Sequence, residues 1–247
     1  MFDKKITFKC REEYLATNPP KPEIAKLNIP EWYKNLEHTV TSKTIKGCMP
    51  FLDSLTTGYI LKTPVELYLK HNYNEENSRK TNLISGTHPV SSVAETQNIN
   101  LDLKLEIHNV EQLGNKCPII HKNKNLPIQK ILNPFTIITP PGYSCLFVPP
   151  LNNSDDRFSI IPAIVDTDSF PSEINFPFVV NGDKYPILDT IIKIGTPYVQ
   201  IIPFKRNDWK MNLETETQKE QELRRFKQER FVLNNYKQRW WRKKRWK

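Results

Sequence analysis

Glycine is scarce in this 247-residue chain, with 7 Gly against 20 Pro. A glycine-poor chain has few sites for left-handed turns or for backbone cradles around phosphates, and prolines interrupt long helices. The combination excludes collagen and a long coiled coil, and it argues against the Gly-rich nucleotide folds. Long apolar runs are also missing. No stretch approaches the roughly 18–20 apolar residues that span a bilayer. The opening residues Met1-Phe2-Asp3-Lys4-Lys5-Ile6 lack the apolar run of a secretory signal, so the expectation is a chain without a transmembrane segment and not exported by a signal peptide. Cysteines number four, Cys10, Cys48, Cys117 and Cys145, and no two have CxxC spacing. Neither a zinc knuckle nor a dense disulfide scaffold is indicated, and reduced intracellular thiols are expected.

What is present is a lopsided charge. The net charge is +9. From residue 214 onward there are 12 Lys/Arg against 5 Asp/Glu, and from Arg230 onward 8 basic residues and no acidic one. The first 213 residues carry only +2. The chain therefore reads as a nearly neutral body with a cationic tail.

Three segments follow from the local patterns. Residues 1–54 form an irregular, Pro-rich arm. Asn18-Pro19-Pro20-Lys21-Pro22 favours extended backbone. Pro30-Glu31-Trp32-Tyr33 suits the first turn of a short helix, with Trp32, Tyr33 and Leu36 as an apolar anchor. Residues 55–213 carry strand signals. Leu101, Leu103, Leu105 and Ile107 alternate with charged residues, as in a strand with one wet face. Short β-branched or aromatic runs recur at 58–61, 65–69, 135–139, 145–148, 158–161, 176–180, 191–194 and 198–202, bounded by Pro, Gly, Asn or Asp. No amphipathic helical stretch separates them, which argues against a parallel sheet. The fold expected is mainly β, an antiparallel jelly-roll or cupin-like sandwich or barrel. Pro162 and Pro177 should then sit at strand edges or bulges. Residues 214–247 have helix composition. Leu223, Phe226, Leu233 and Trp240 make a narrow stripe, with acidic residues first and basic residues last.

These segments offer residues for three chemistries. A non-haem iron or other divalent metal site needs two His and a carboxylate on one face. The candidates are His108, His121, Asp166 and Asp168, with His71 and His88 as further donors. None of the histidines shows a His-x-Asp/Glu trace, so the expectation is that no cofactor is bound. Asp166-Thr167-Asp168 places two carboxylates on one side of a strand end, where a hard cation or a capped turn are the alternatives. Gly142-Tyr143-Ser144-Cys145 lacks the second glycine of a nucleophile elbow, and Cys145 reads as a core thiol. The tail is the sharpest feature. Lys237, Arg239, Trp240, Trp241, Arg242, Lys243, Lys244, Arg245 and Trp246 interleave cations with aromatics, the residue types that neutralise phosphates and stack on bases. A basic amphipathic helix on a membrane surface is a second reading of the same residues. Packing on the body or on a protein partner is the third, and it leads.

Five blocks resemble an uncharacterised family of marine phage proteins, a domain of unknown function. They are Ile29-Pro30-Glu31-Trp32-Tyr33-Lys34; residues 44–53 with Thr57-Gly58-Tyr59-Ile60; Thr139-Pro140-Pro141-Gly142-Tyr143-Ser144; Val165-Asp166-Thr167-Asp168; and residues 195–206, ending Pro203-Phe204-Lys205-Arg206. The resemblance implies a viral gene product, in the host cytoplasm or the virion, and assigns no reaction or ligand. A composition of 22 Asn, 24 Ile and 26 Lys against 4 Ala agrees with an AT-rich genome. The leading expectation is a non-enzymatic binding or structural β-module, with self-association or a protein partner. A cupin-type or 2-oxoglutarate/iron oxygenase-like enzyme is one alternative, and nucleic-acid binding through residues 230–247 is the other.

Overall fold

The computed structural model describes residues 4–72, 106–108, 110–114, 117–119, 128–153, 155–229 and 235–247. The fold is mainly β, and every strand pairing is antiparallel. In chain order the strands are β1 (Thr7–Lys9), β2 (Glu23–Ile24), β3 (Tyr59–Lys62), β4 (Leu67–Asn72), β5 (Glu106–His108), β6 (Ile128–Ile131) and β7 (Thr136–Ile138). They continue with β8 (Tyr143–Val148), β9 (Phe158–Ile160), β10 (Ala163–Val165), β11 (Phe176–Val180), β12 (Ile187–Ile192) and β13 (Pro197–Lys205). The helices are α1 (Glu12–Ala16), α2 (Glu31–Lys34), α3 (Met49–Thr56), α4 (Gln218–Glu229) and α5 (Asn235–Arg239).

A five-stranded sheet runs β10-β8-β13-β3-β2 and a four-stranded sheet β5-β6-β11-β9, with β1-β7 and β12-β4 as two-stranded pairs. No barrel closes among the described residues. One apolar cluster joins these sheets, drawing Leu61, Phe147, Val199 and Ile201 from the first and Ile131, Ile160, Phe176 and Phe178 from the second. Phe176 bridges the layers, with its ring 5.4 Å from Phe147 and 5.8 Å from Tyr198. Phe147, Ile131 and Ile160 alternate with wetter neighbours, as the two-residue period of a strand requires, whereas Tyr198 to Ile201 in β13 are buried on both faces.

The prolines behave differently from expectation in one place. Pro177 lies in β11, an interior strand between β6 and β9, rather than at an edge. It is accommodated because its carbonyl accepts from the Ile161 N–H, one residue past the end of β9, so the missing N–H faces a ladder that has already ended. Pro203 uses the same device in β13, pairing with Cys145 beyond the point where β3 stops at Tyr59.

The first 54 residues are also more ordered than their composition suggests. β1 pairs with β7 and β2 with β3, with partners supplied from distant sequence. Tyr33 stacks on Phe51, centroids 5.7 Å apart, and Trp32 meets both rings edge-on. Thus α2 and α3 form one aromatic unit. α3 is stapled to the sheet by Gln200. Its amide donates to the Ser54 and Thr57 carbonyls at 2.9 and 2.7 Å and accepts from the Leu151 N–H at 2.9 Å. Gly58 ends this turn at φ +75°, where a Cβ would lie 1.9 Å from the Ile201 carbonyl oxygen. Only glycine fits that approach.

The carboxy-terminal segment is not one helix from 214. α4 starts at Gln218 because Thr217 and Glu220 form a reciprocal capping box. The Thr217 N–H donates to Glu220 at 2.8 Å, and the Glu220 N–H points back at Thr217 Oγ1. From Trp241 the chain leaves helical geometry.

Candidate nucleic-acid interface

The end of the chain returns to the body. Asp53, on α3, accepts the Trp241 indole N–H at 3.1 and 3.0 Å and pairs with the Lys244 ammonium. The Asp53 side chain is only 16% exposed, so this carboxylate is largely withdrawn from water. Trp246 sets its ring edge-on to Tyr59, centroids 5.9 Å apart, and the Tyr59 hydroxyl donates to the Lys247 carbonyl at 3.2 Å. Burial, with the nearby Cys145, raises the Tyr59 pKa, so the phenol stays protonated and able to donate. The Trp246 indole N–H is buried with no acceptor among the described residues. Ring packing and Asp53 therefore hold the tail.

This return builds an open groove of about 830 Å³. Its walls come from four stretches far apart in sequence. Lys4, Lys5 and Ile6 precede β1; Thr139, Pro140 and Tyr143 lead into β8; Pro203, Phe204 and Lys205 end β13; and Arg245, Trp246 and Lys247 close the far side, with Tyr59 at the base. Five lining residues are cationic, four are aromatic, and none carries a carboxylate side chain. None of those five cations joins an ion pair among the described residues. Lys4 lies 5.0 Å over the Tyr143 ring, which aims its charge into the groove. Phe204, 37% exposed, presents a free aromatic surface beside Lys205. Uncompensated cations between low-dielectric walls concentrate positive potential, and neighbouring rings supply stacking surfaces.

The rim is fixed by Arg206, the residue after β13. Its guanidinium forks onto Asp168, reaches Asp166 at 3.1 Å and donates to Ser144 Oγ at 3.1 Å. Ser144 in turn donates to Asp166 at 2.6 Å, and the Gly142 N–H donates to Asp168 at 2.8 Å. The Arg206 charge, with the Gly142 N–H, pulls the Asp168 pKa down to about 2. Behind this network Thr167 Oγ1 sits 2.7 Å from Thr139 Oγ1 and 3.3 Å from the Cys145 thiol. Burial pushes that thiol up to about 11.

The candidate residues separate accordingly. Asp166 and Asp168 do meet, and the group they share is the Arg206 guanidinium. His108 ends β5, opposite Ile128 in the four-stranded sheet, whereas Asp166 follows β10 at the edge of the other sheet. His121 and His88 lie outside the described residues. No group of three His, Cys, Asp or Glu side chains able to hold a metal converges among the described residues. In the tail, Lys237 and Arg239 lie on α5, Trp240, Arg242 and Lys243 are exposed, and Trp241 and Lys244 are spent on Asp53. Arg245 and Trp246 face the groove. Sequence reasoning missed Lys4, Lys5, Tyr59, Tyr143 and Phe204. The Lys4-Lys5 pair was a local signal, while the aromatics were indistinguishable from core residues.

No family model and no curated protein matches the chain.

Proposed function

We propose that this protein is a non-enzymatic binding module whose groove between body and tail takes a single-stranded nucleic acid. One observation carries the reading: five unpaired cations and four aromatic rings line one groove with no carboxylate side chain among them. Phosphates would meet Lys4, Lys5, Lys205, Arg245 and Lys247, and splayed bases would stack beside Phe204. A duplex keeps its bases in its own stack, so the aromatic half of the groove favours single strands. A membrane surface is a poorer fit, because Trp241 is turned into the body by Asp53. The blocks resembling a phage family supply Tyr59, Tyr143, Phe204 and Lys205 to the groove, and this reading makes the module a viral gene product.

Fluorescence anisotropy with a labelled single-stranded oligonucleotide tests the proposal. Reversing Lys205 and Arg245 together (Lys205→Glu with Arg245→Glu) should weaken binding at least tenfold. Reversing Lys237 and Arg239 on α5 should change it less than about threefold, because they lie outside the groove. Equal losses from the two pairs would indicate a tail that binds as a free basic peptide, and no binding at low salt would end the proposal.

A further inference from the structure

An exposed apolar arm and a cavity lie at opposite ends of β13. At its end the chain leaves the sheet through Arg206, whose N–H donates to the Gly142 carbonyl at 2.9 Å. From 207 to 216 no backbone hydrogen bond reaches the body among the described residues. Within this arm Trp209, Met211 and Leu213 are 89%, 91% and 92% exposed. An i, i+2, i+4 spacing is the one that shares a face in strand geometry. A ridge of three large apolar side chains this exposed is unusual on a soluble monomer and marks a contact surface.

At the start of β13, Pro197 and Tyr198 help to line a cavity of about 450 Å³, with Phe158, Ile160 and Val180 as apolar walls and Asp155, Asp156 and Asp183 as an acidic part of its lining. The cavity is of the size that receives large side chains or small ligands. The arm does not reach the cavity of its own molecule. Nine residues of β13 separate the two ends by about 26 Å. Trp209 stands three residues past Arg206, a reach of at most about 11 Å.

We infer that the arm is exchanged between copies, Trp209 and its neighbours seating in the Phe158–Tyr198 cavity of a second copy of this chain. The tryptophan with the two aliphatic neighbours offers on the order of 500 Å² per arm. Two reciprocal arms and the surfaces that receive them bury about 2,000 Å², the size of a stable protein interface. The Arg206 N–H bond to Gly142 fixes the root of the arm to its own body, and Trp241 is separately held there by Asp53.

Sedimentation equilibrium on the full chain tests this. The parent should run at a multiple of its 29.0 kDa mass. Trp209→Ala with Met211→Ser should run at the single-chain mass with an unchanged circular dichroism spectrum. Pro162→Trp, which crowds the exposed mouth of the cavity, should dissociate the assembly equally. A parent that is monomeric at ~100 µM, far above the Kd of an interface of this size, overturns the inference. So does an arm variant that assembles like the parent, or a Pro162→Trp variant that stays assembled while the arm variant dissociates.

Discussion

Removing the Asp53 carboxylate should release the tail without unfolding the body. Asp53 holds Trp241 through one shared indole N–H and Lys244 through an ion pair. A hydrogen bond from a neutral donor to a largely buried carboxylate contributes about 2 kcal/mol. The pair with Lys244, whose side chain is about half exposed, adds only about 0.5 kcal/mol after solvent screening. Asp53→Ala should therefore shift the docked-to-free ratio of the tail by about 2.5 kcal/mol, on the order of 50- to 100-fold. Limited trypsin digestion, followed by mass spectrometry for cleavage at Arg242, Lys243, Lys244 and Arg245, reads this directly. Cleavage of a rapidly opening segment tracks its open population, so the rate should rise by that factor. Asp53→Asn keeps an acceptor for the indole and loses the ion pair, and its cleavage should rise less than about tenfold. A cleavage rate unchanged in Asp53→Ala, with an intact circular dichroism spectrum, would refute the docking and the groove built from it.

Two further outcomes follow from the packing and the rim. Gln200→Leu strands the Leu151 N–H and the Ser54 and Thr57 carbonyls around a buried side chain, and urea unfolding should show a loss of about 3 kcal/mol. Asp168, whose pKa falls from an ordinary 3.8 to about 2 when folded, contributes stability that is fully present above about pH 4 and lost as pH falls toward 2. In Arg206→Gln the urea midpoint should be lower at pH 6 and should decline less between pH 4 and 2, and parallel curves for the two proteins would contradict the role given to Arg206.

Much of the β architecture was legible from local composition. Runs such as Tyr198-Val199-Gln200-Ile201, buried on both faces, announce themselves as short β-branched and aromatic stretches between turn residues, whatever they pair with. The pieces that escaped depend on partners remote in sequence. β1 and β2 are two or three residues long and exist because β7 and β3 offer open edges. Pro177 looked like an edge residue because local rules do not reveal where β9 ends. The carboxy-terminal helix was overextended at both ends. Its start was readable, since Thr217 and Glu220 have capping-box spacing. Its end was not, because Asp53 and Tyr59 draw Trp241 and Trp246 out of helical geometry from nearly 190 residues away. For the same reason the site was half visible. The cations and tryptophans of the tail stood out, but the groove needs Lys4, Lys5 and Phe204, which only folding brings beside them. Asp166 and Asp168 are neighbours in sequence, but the Arg206 they share lies 38 residues beyond Asp168.

The salt dependence of single-strand binding tests the central claim most directly. Five groove cations neutralising five phosphates release the counterions condensed there, giving a slope of log K against log salt of about −0.7 per phosphate contact, or about −3.5 in total. Affinity for a labelled oligonucleotide should then fall about 100-fold between 50 and 200 mM salt, with the Lys205→Glu and Arg245→Glu variant giving a shallower slope near −2. A slope near zero, or no anisotropy change at the lower salt, would contradict the account.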